Sequence, residues 1–276
     1  MLRQVTAIAA LVLTFATHGW AQDRNAQIDA LYEALGLPEI LEVMQAEGIA
    51  YGEELGAEML PGGASDDWAM AVASIYDLQT MDEEVRGAFA EAVMDDDIEL
   101  MLDFFTSDRG QEIIALEIGA RRAMLDEDVE EASKEAAALQ VMDETPRYFA
   151  IRDFIAANDL IESNVVGALN SSYAFYMGLI DGGVMPPGIT ADTALQDVWA
   201  QEPDIRASTT EWVYAFLMLA YQPLSDDDLA AYQAFSETDV GQDLNDALFF
   251  AFDGMFDDIS RALGLAASRF LISQEL

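Results

Sequence analysis

One stretch of this chain, Asp95–Gln111, recurs as a second, similar copy, and this repeat constrains the fold more than any other feature. Asp226–Gln242 follows at a constant offset of 131 residues without a gap. The same offset places Trp68 on Trp199. Two spaced motifs at one fixed offset predict an internal duplication. The identical pairs are Asp95/Asp226, Asp96/Asp227, Asp97/Asp228, Phe104/Phe235, Asp108/Asp239, Gly110/Gly241 and Gln111/Gln242.

Each copy is predicted to form a helix, a tight corner and a second helix. An apolar stripe from Ile98 to Phe105 ends just before Ser107, a residue type that caps helices, and Ser225 is predicted to cap the first helix of the second copy. Glycine at the corner permits close packing, and glutamine is expected to bond the backbone there. The alternative, an anion held at the helix N-terminus, is disfavoured by the acidic surroundings. The residues given this structural role are Phe104, Ser107, Asp108, Gly110, Gln111, Phe235, Thr238, Asp239, Gly241 and Gln242.

The rest of the chain also reads as helix, because no segment alternates with the period of two that marks strands. We predict an all-α fold of two divergent multi-helix repeats, residues 22–144 and 145–276, packed through apolar faces. Thr145-Pro146 is the helix start at their boundary. Further predicted helices run from a Ser65 cap to Tyr76, from a capping box at Thr80, from Leu116 to Leu139, from Thr145 to Ile180, from Thr193 to Gln201, from Thr209 to Tyr221, and from Asp239 to Leu263 with an end at Gly264.

Residues 1–21 are predicted to be a cleaved secretory signal peptide. Arg3 precedes an apolar run, and Gly19-Trp20-Ala21 supplies small residues for cleavage after Ala21. The apolar run of about 13 residues is shorter than the ~20 needed to span a bilayer. We therefore expect a periplasmic or secreted protein without a transmembrane segment in the mature chain. The alternative is an uncleaved anchor or a buried first helix.

The side-chain inventory excludes many kinds of site. The chain has no cysteine, and its one histidine, His18, lies in the predicted signal. This excludes Ser-His-Asp and Cys-His catalysis, structural zinc, haem ligation by His and iron–sulfur clusters. We expect no catalytic residues, no cofactor and no dedicated metal site.

The charge balance excludes nucleic acid as a partner. The formal net charge is −40, from 52 acidic and 12 basic residues, and such a polyanion repels DNA and RNA. The acids are spread along every segment, which is typical of a solvated surface. A cation store or a basic partner is the alternative reading.

Two chemical hypotheses stay open. Two carboxylates suffice for glycoside hydrolysis, although among so many acids no pair is specific. The residues before Gly110 and Gly241 do not fit a calcium loop.

Aromatic residues could line a hydrophobic ligand pocket, but periodic apolar positions more often form core, which predicts that 215–221 and 248–252 are buried. These aromatic residues are Phe104, Phe105, Tyr173, Phe175, Tyr176, Phe216, Phe249, Phe250, Phe252 and Phe256.

The motif resembles the core "FY-x-S-P-x-G-Q" of the bacterial domain of unknown function family 2059. The first copy reads Phe104-Phe105-Thr106-Ser107-Asp108-Arg109-Gly110-Gln111, with Asp108 where that family usually has proline. The second copy lacks both the second aromatic residue and the proline. The resemblance implies an exported, helical protein and supplies no catalytic residues.

These observations predict a non-catalytic module that binds a protein partner, or assists another exported protein, in the bacterial periplasm. A contiguous exposed apolar patch would favour this function. A carrier of a hydrophobic ligand would instead need an enclosed apolar cavity. A carboxylate-only hydrolase would need a cleft holding two acids, one of them with a raised pKa. The oligomeric state is left open.

Overall fold

The structure, a computed structural model, describes residues 24–60, 63–93, 97–186 and 188–274. Within these ranges the regular elements are helices and no strand is present, so the predicted all-α class is confirmed. The predicted signal peptide and two motif carboxylates, Asp95 and Asp96, lie outside the described residues. In the part of the chain that is described, no helix has both the length and the apolarity to cross a bilayer.

The helices are numbered in chain order. They are α1 (24–34), α2 (Leu37–Met59), α3 (Asp66–Ile75), α4 (Leu78–Ala92), α5 (Ile98–Phe105), α6 (Asp108–Ala123), α7 (Glu127–Met142), α8 (Pro146–Ala157), α9 (Leu160–Asp181), α10 (Ala191–Ala200), α11 (Glu202–Ala220), α12 (Asp226–Ser236) and α13 (Asp239–Gln274).

Four helix starts predicted from their capping residues are confirmed. Ser65, Ser107, Thr145 and Ser225 each accept a hydrogen bond from the backbone N–H three residues further on. Each such cap satisfies an N–H group that the helix leaves unpaired and contributes about 1 kcal/mol. These short polar side chains therefore fix where α3, α6, α8 and α12 begin.

Two predicted boundaries in the first half are wrong. Helix α4 begins at Leu78 rather than at the Thr80 capping box, because the Asp77 carboxylate accepts the Thr80 N–H at 2.9 Å. The helix expected from Leu116 to Leu139 is two helices, since Asp126 caps a new one after a turn at 124–126.

Boundaries in the second half differ for similar reasons. The helix expected from Thr145 to Ile180 is interrupted at Asp159, whose φ of +48° is incompatible with a right-handed helix. Helix α11 starts at Glu202 instead of Thr209. Proline is tolerated in the first turn of a helix, and Pro203 lies there.

The predicted helix end at Gly264 is also wrong, because α13 continues to Gln274. Gly264 serves packing rather than termination. A Cβ atom added there would lie 2.2 Å from the carbonyl oxygen of Phe175 in α9. A glycine that reads as a stop signal in the sequence thus lets another helix backbone approach.

Helices α9 and α13 run parallel and in register. Residue pairs that contact, or would contact through an added Cβ, keep one offset along both helices: Gly167/Asp253, Ser171/Asp257, Gly178/Gly264 and Gly182/Ser268. Gly182 directly follows α9, and every member on this side of the row is glycine or serine. Small side chains allow the two backbones to pack closely over most of the length of α9.

Helix α13 also joins the two halves of the chain. Beyond α9 it packs extensively on α4, and it closes one core cluster with α1–α5. Helix α7 of the first half packs on α11 of the second, within a cluster that also contains α6, α8 and α12. Each half therefore contributes its last helix to the other half's core. The division at 144/145 falls in the turn between α7 and α8 and stays a prediction.

The two tryptophans related by the sequence offset occupy different environments. Trp68 lies near the start of α3, is fully buried, and donates its indole N–H to the Gly52 carbonyl at 2.7 Å. Trp199 lies near the end of α10 and is 59% exposed. The offset of 131 residues therefore does not extend structurally from the motif to the tryptophans.

The close approach of α9 and α13 gives a test. Gly264→Ala should lower the free energy of unfolding by about 1–3 kcal/mol, because the new methyl group must push the α9 backbone away. Gly254→Ala on the same helix meets open space and should be neutral or stabilising by up to ~1 kcal/mol. Urea unfolding of both variants measures this. Equal effects at the two sites would contradict the packing.

Candidate functional site

The two motif copies lie against each other. The Phe104 and Phe235 rings stack with centroids 4.3 Å apart and planes 19° apart. Phe105 meets Phe235 edge-on, and Tyr232 stacks on the far side of the cluster against Phe104. Aromatic pairs of this kind contribute about 0.5–1.5 kcal/mol beyond the burial of their area. The motif copies thus form one of the contacts between the halves.

The hydroxyl and glycine of each corner bond the protein itself. Ser107 accepts the Gly110 N–H at 3.1 Å and donates to the Phe104 carbonyl at 2.5 Å. A Cβ on Gly110 would lie 2.3 Å from that same carbonyl oxygen. The second copy repeats this arrangement with Thr238, Gly241 and Phe235.

The glutamine of each corner ties three helices together. The Gln111 amide donates to the carbonyls of Phe105, at 2.7 Å, and Ala34, at 2.9 Å. These acceptors are at the C-terminal ends of α5 and α1, where helices leave carbonyls unpaired. Gln242 makes the equivalent bonds to Ser236 and Ala157.

The motif acids face solvent. Asp108 and Asp239 are exposed in the first turns of α6 and α13, where the helix dipole favours a negative charge. Arg109 links the copies through an ion pair to Asp228 at 2.6 Å. None of the ten motif residues lines either of the two grooves described below.

One carboxyl that the sequence did not single out lies between the halves. Glu117 of α6 accepts a hydrogen bond from the hydroxyl of Tyr221, which directly follows α11, and interacts with the hydroxyl of Tyr232 in α12. Part of the residue reaches the surface, but burial of its carboxyl raises the pKa of Glu117 to about 7. Burial, followed by the nearby Glu117 charge, also raises the pKa of both tyrosines. Among 52 acids, nothing in the sequence marks this one.

A second group of acids lies where α13 meets α9. Burial, then the neighbouring charge of Asp257, raises the pKa of Asp253 to about 6. Burial also raises the pKa of Asp257, although its carboxylate accepts a hydrogen bond from Ser171 at 3.3 Å. The Asp253 carboxylate fills the space above Gly167. Neither acid lines the two grooves described below.

Metal binding and ligand storage gain no support. Across the described ranges, no three His, Cys, Asp or Glu residues are grouped so as to hold a metal ion. The aromatic residues proposed as a pocket lining mostly pack against one another or the core, and Phe105 is 2% exposed. The prediction that 248–252 is entirely buried is wrong, because Phe250 faces solvent.

Two grooves flank α7. One, of about 360 Å³, lies where α7, α8 and α12 meet and includes Arg147 and Asp226, which pair at 3.0 Å. The other, of about 540 Å³, lies between α7 and α11. We call it the glutamate groove, because its charged lining is Glu127, Glu130, Glu131, Lys134, Glu135 and Glu211.

Helix α7 also carries an exposed apolar row. Ala132, Ala136, Leu139 and Met142 follow a spacing of four, three and three residues, which places them on one face. All four are exposed, Leu139 to 55% and Met142 to 70%. We call this row the α7 stripe. The spacing is readable in the sequence, but it looks there like a core stripe, and only the packing shows that nothing covers it.

Comparison with known families identifies the first motif copy. Residues 79–138 match the family model described as "Uncharacterized protein conserved in bacteria (DUF2059)". The resemblance drawn from the motif is thereby confirmed for α4–α7, and the match does not extend to the second copy. Comparison with curated proteins and with solved structures gave no significant match.

The Glu117 site predicts a pH-dependent stability. The pKa of Glu117 is higher in the folded chain than the ordinary 4.5, so the folded state binds this proton more tightly than the unfolded state does. The free energy of unfolding therefore falls as the pH rises from about 4.5 to about 7. Glu117→Gln should therefore raise the free energy of unfolding by roughly 1–3 kcal/mol at pH 8.5 and by less at pH 5.5. Urea unfolding across this range measures the difference.

The matched control is Glu112→Gln, which changes an exposed acid on the same helix. It should leave the pH profile of the parent protein unchanged. A constant difference between Glu117→Gln and the parent at every pH would contradict the enclosed carboxyl.

Proposed function

We propose that this protein is a non-catalytic protein-binding module of the bacterial periplasm. The observation that carries this proposal is the exposed α7 stripe. Apolar side chains in a row on one helix form a surface suited to another helix. Two observations support export of the protein. One is the predicted signal peptide, and the other is the match to a family whose resemblance implies an exported protein.

The counterpart of the stripe in the second half supports this reading. At the offset of 131 residues, Ala132, Ala136 and Leu139 correspond to Leu263, Ala267 and Phe270 of α13. Leu263 and Ala267 are buried, and Phe270 packs edge-on against Trp68 with ring centroids 5.4 Å apart. The positions that α13 buries inside the protein are thus the ones that α7 leaves open.

The other two functions have weaker support. A carrier needs an enclosed apolar cavity, whereas the proposed aromatic lining is packed as core. A carboxylate hydrolase needs two acids facing a common cleft. Glu117 has the raised pKa but is held by two tyrosines, and it lines neither groove.

Photocrosslinking tests the binding surface. A photoreactive amino acid at Leu139 should give a discrete heteromeric adduct in the producing bacterium, since this side chain points outward from the stripe. The matched control is Met70 on α3, which is apolar and 64% exposed. It should give no such adduct.

The partner protein found in the adduct is then purified, and the Kd of its complex with this protein is measured. Leu139→Asp should weaken binding by at least about tenfold, and Met70→Asp should not, because a charge desolvated in an apolar contact is costly. Circular dichroism checks that both variants fold. Equal adducts at both positions, or a Kd unaffected by Leu139→Asp, would contradict the proposal.

Export has its own test. Intact mass measurement of the protein recovered from the periplasm should give a chain that begins at Gln22, because cleavage is predicted after Ala21. Recovery of the uncleaved chain in the cytoplasm would refute the periplasmic assignment and leave the binding surface to be judged on the crosslinking result.

A further inference from the structure

We infer that the partner segment docking on the α7 stripe is a basic amphipathic helix. This inference rests on the proposed function and specifies its partner. It follows from three features of the surface around α7: the shape of the stripe, the charge beside it, and the ion pairs that the neighbouring acids do not make.

The shape of the stripe suits a helix. The stripe runs from Ala132 to Met142 and so is roughly 15 Å long, within the 16 residues of α7. Ala132 and Ala136 are small and permit close approach of another backbone, while Leu139 and Met142 offer large apolar contacts at the end. A partner with its own apolar row of about three turns would cover the stripe.

The exposed row of charged residues beside the stripe on α7 is negative. Asp128, Glu131 and Glu135 are exposed and follow a spacing of three and four residues, so they form a second row on the same side of α7. Glu131 and Glu135 also line the glutamate groove, so the acidic row continues into it. In helix pairs, charges that flank an apolar seam decide which partner is accepted.

The groove has carboxylates to offer. Lys134 pairs with Glu130 at 2.6 Å. Among the described residues, no ion pair engages Glu127, Glu131, Glu135 or Glu211. Lysine or arginine side chains that flank a partner's apolar row would reach these acids from the stripe.

The same charges argue against other occupants. A second copy of this chain would bring one acidic α7 row against another within a protein of net charge −40. Nucleic acid and anionic lipid are repelled for the same reason. A basic helix satisfies both the apolar stripe and the acids beside it.

Designed peptides test this directly. Two fluorescent 18-residue helices share one leucine stripe, one flanked by lysine and the other by glutamate. Titrated with the full exported chain, the lysine peptide should bind at least about tenfold more tightly than the glutamate peptide. Its affinity should fall between roughly 50 and 300 mM salt, because salt screens exposed charges.

Variants separate a specific site from general attraction. The triple substitution Glu131→Gln, Glu135→Gln and Glu211→Gln should weaken lysine-peptide binding by at least about tenfold. Glu53→Gln, Glu54→Gln and Glu58→Gln remove the same charge from the exposed face of α2 and should leave the Kd within about twofold. Leu139→Asp should weaken binding as well.

Each outcome has one meaning. If both triple variants bind equally, the attraction comes from net charge alone and the inference is wrong. If the glutamate peptide binds as well as the lysine peptide, the partner is not selected by charge. In either case a heteromeric adduct at Leu139 would leave the proposed function standing, and its absence would remove both.

Discussion

The contact between α9 and α13 is the constraint on which the rest of the structure depends. Gly178 and Gly264 allow the two backbones to touch, and the constant register of small residues keeps them parallel along most of α9. With α13 held in place by α9, apolar side chains of α13 complete the core cluster that contains α1–α5. A side chain at either glycine would separate the helices and loosen the join between the halves.

The two motif copies also connect the two halves of the chain, at a different place from the contact between α9 and α13. Two corners with the same hydrogen bonds meet through stacked Phe104 and Phe235. Helix α6 also packs on α11 and is linked to α12 by the ion pair of Arg109 with Asp228. That placement encloses Glu117 beside two tyrosine hydroxyls, and burial then raises the pKa of its carboxyl. The most perturbed acid of the first half is thus a consequence of how the halves meet.

The surface around α7 follows from an asymmetry between the halves. In α13 the segment that matches α7 by sequence offset continues directly from the corner and enters the core. In the first half, the turn at 124–126 separates α6 from α7, which then rests on α11 through Ser133 and Ala137. Because the turn at 124–126 interrupts the helix in the first half, the α7 stripe is left uncovered beside the glutamate groove.

The sequence by itself determined the helical class, four capped helix starts, and the corner with its glycine and glutamine, because these depend on local backbone chemistry. It could not determine that Gly264 lies within a helix, that Trp199 is exposed while Trp68 is buried, or that Glu117 is enclosed. Those outcomes depend on which helix lies opposite. A core stripe and a docking stripe have the same spacing, so only the tertiary structure decided that α7 is open.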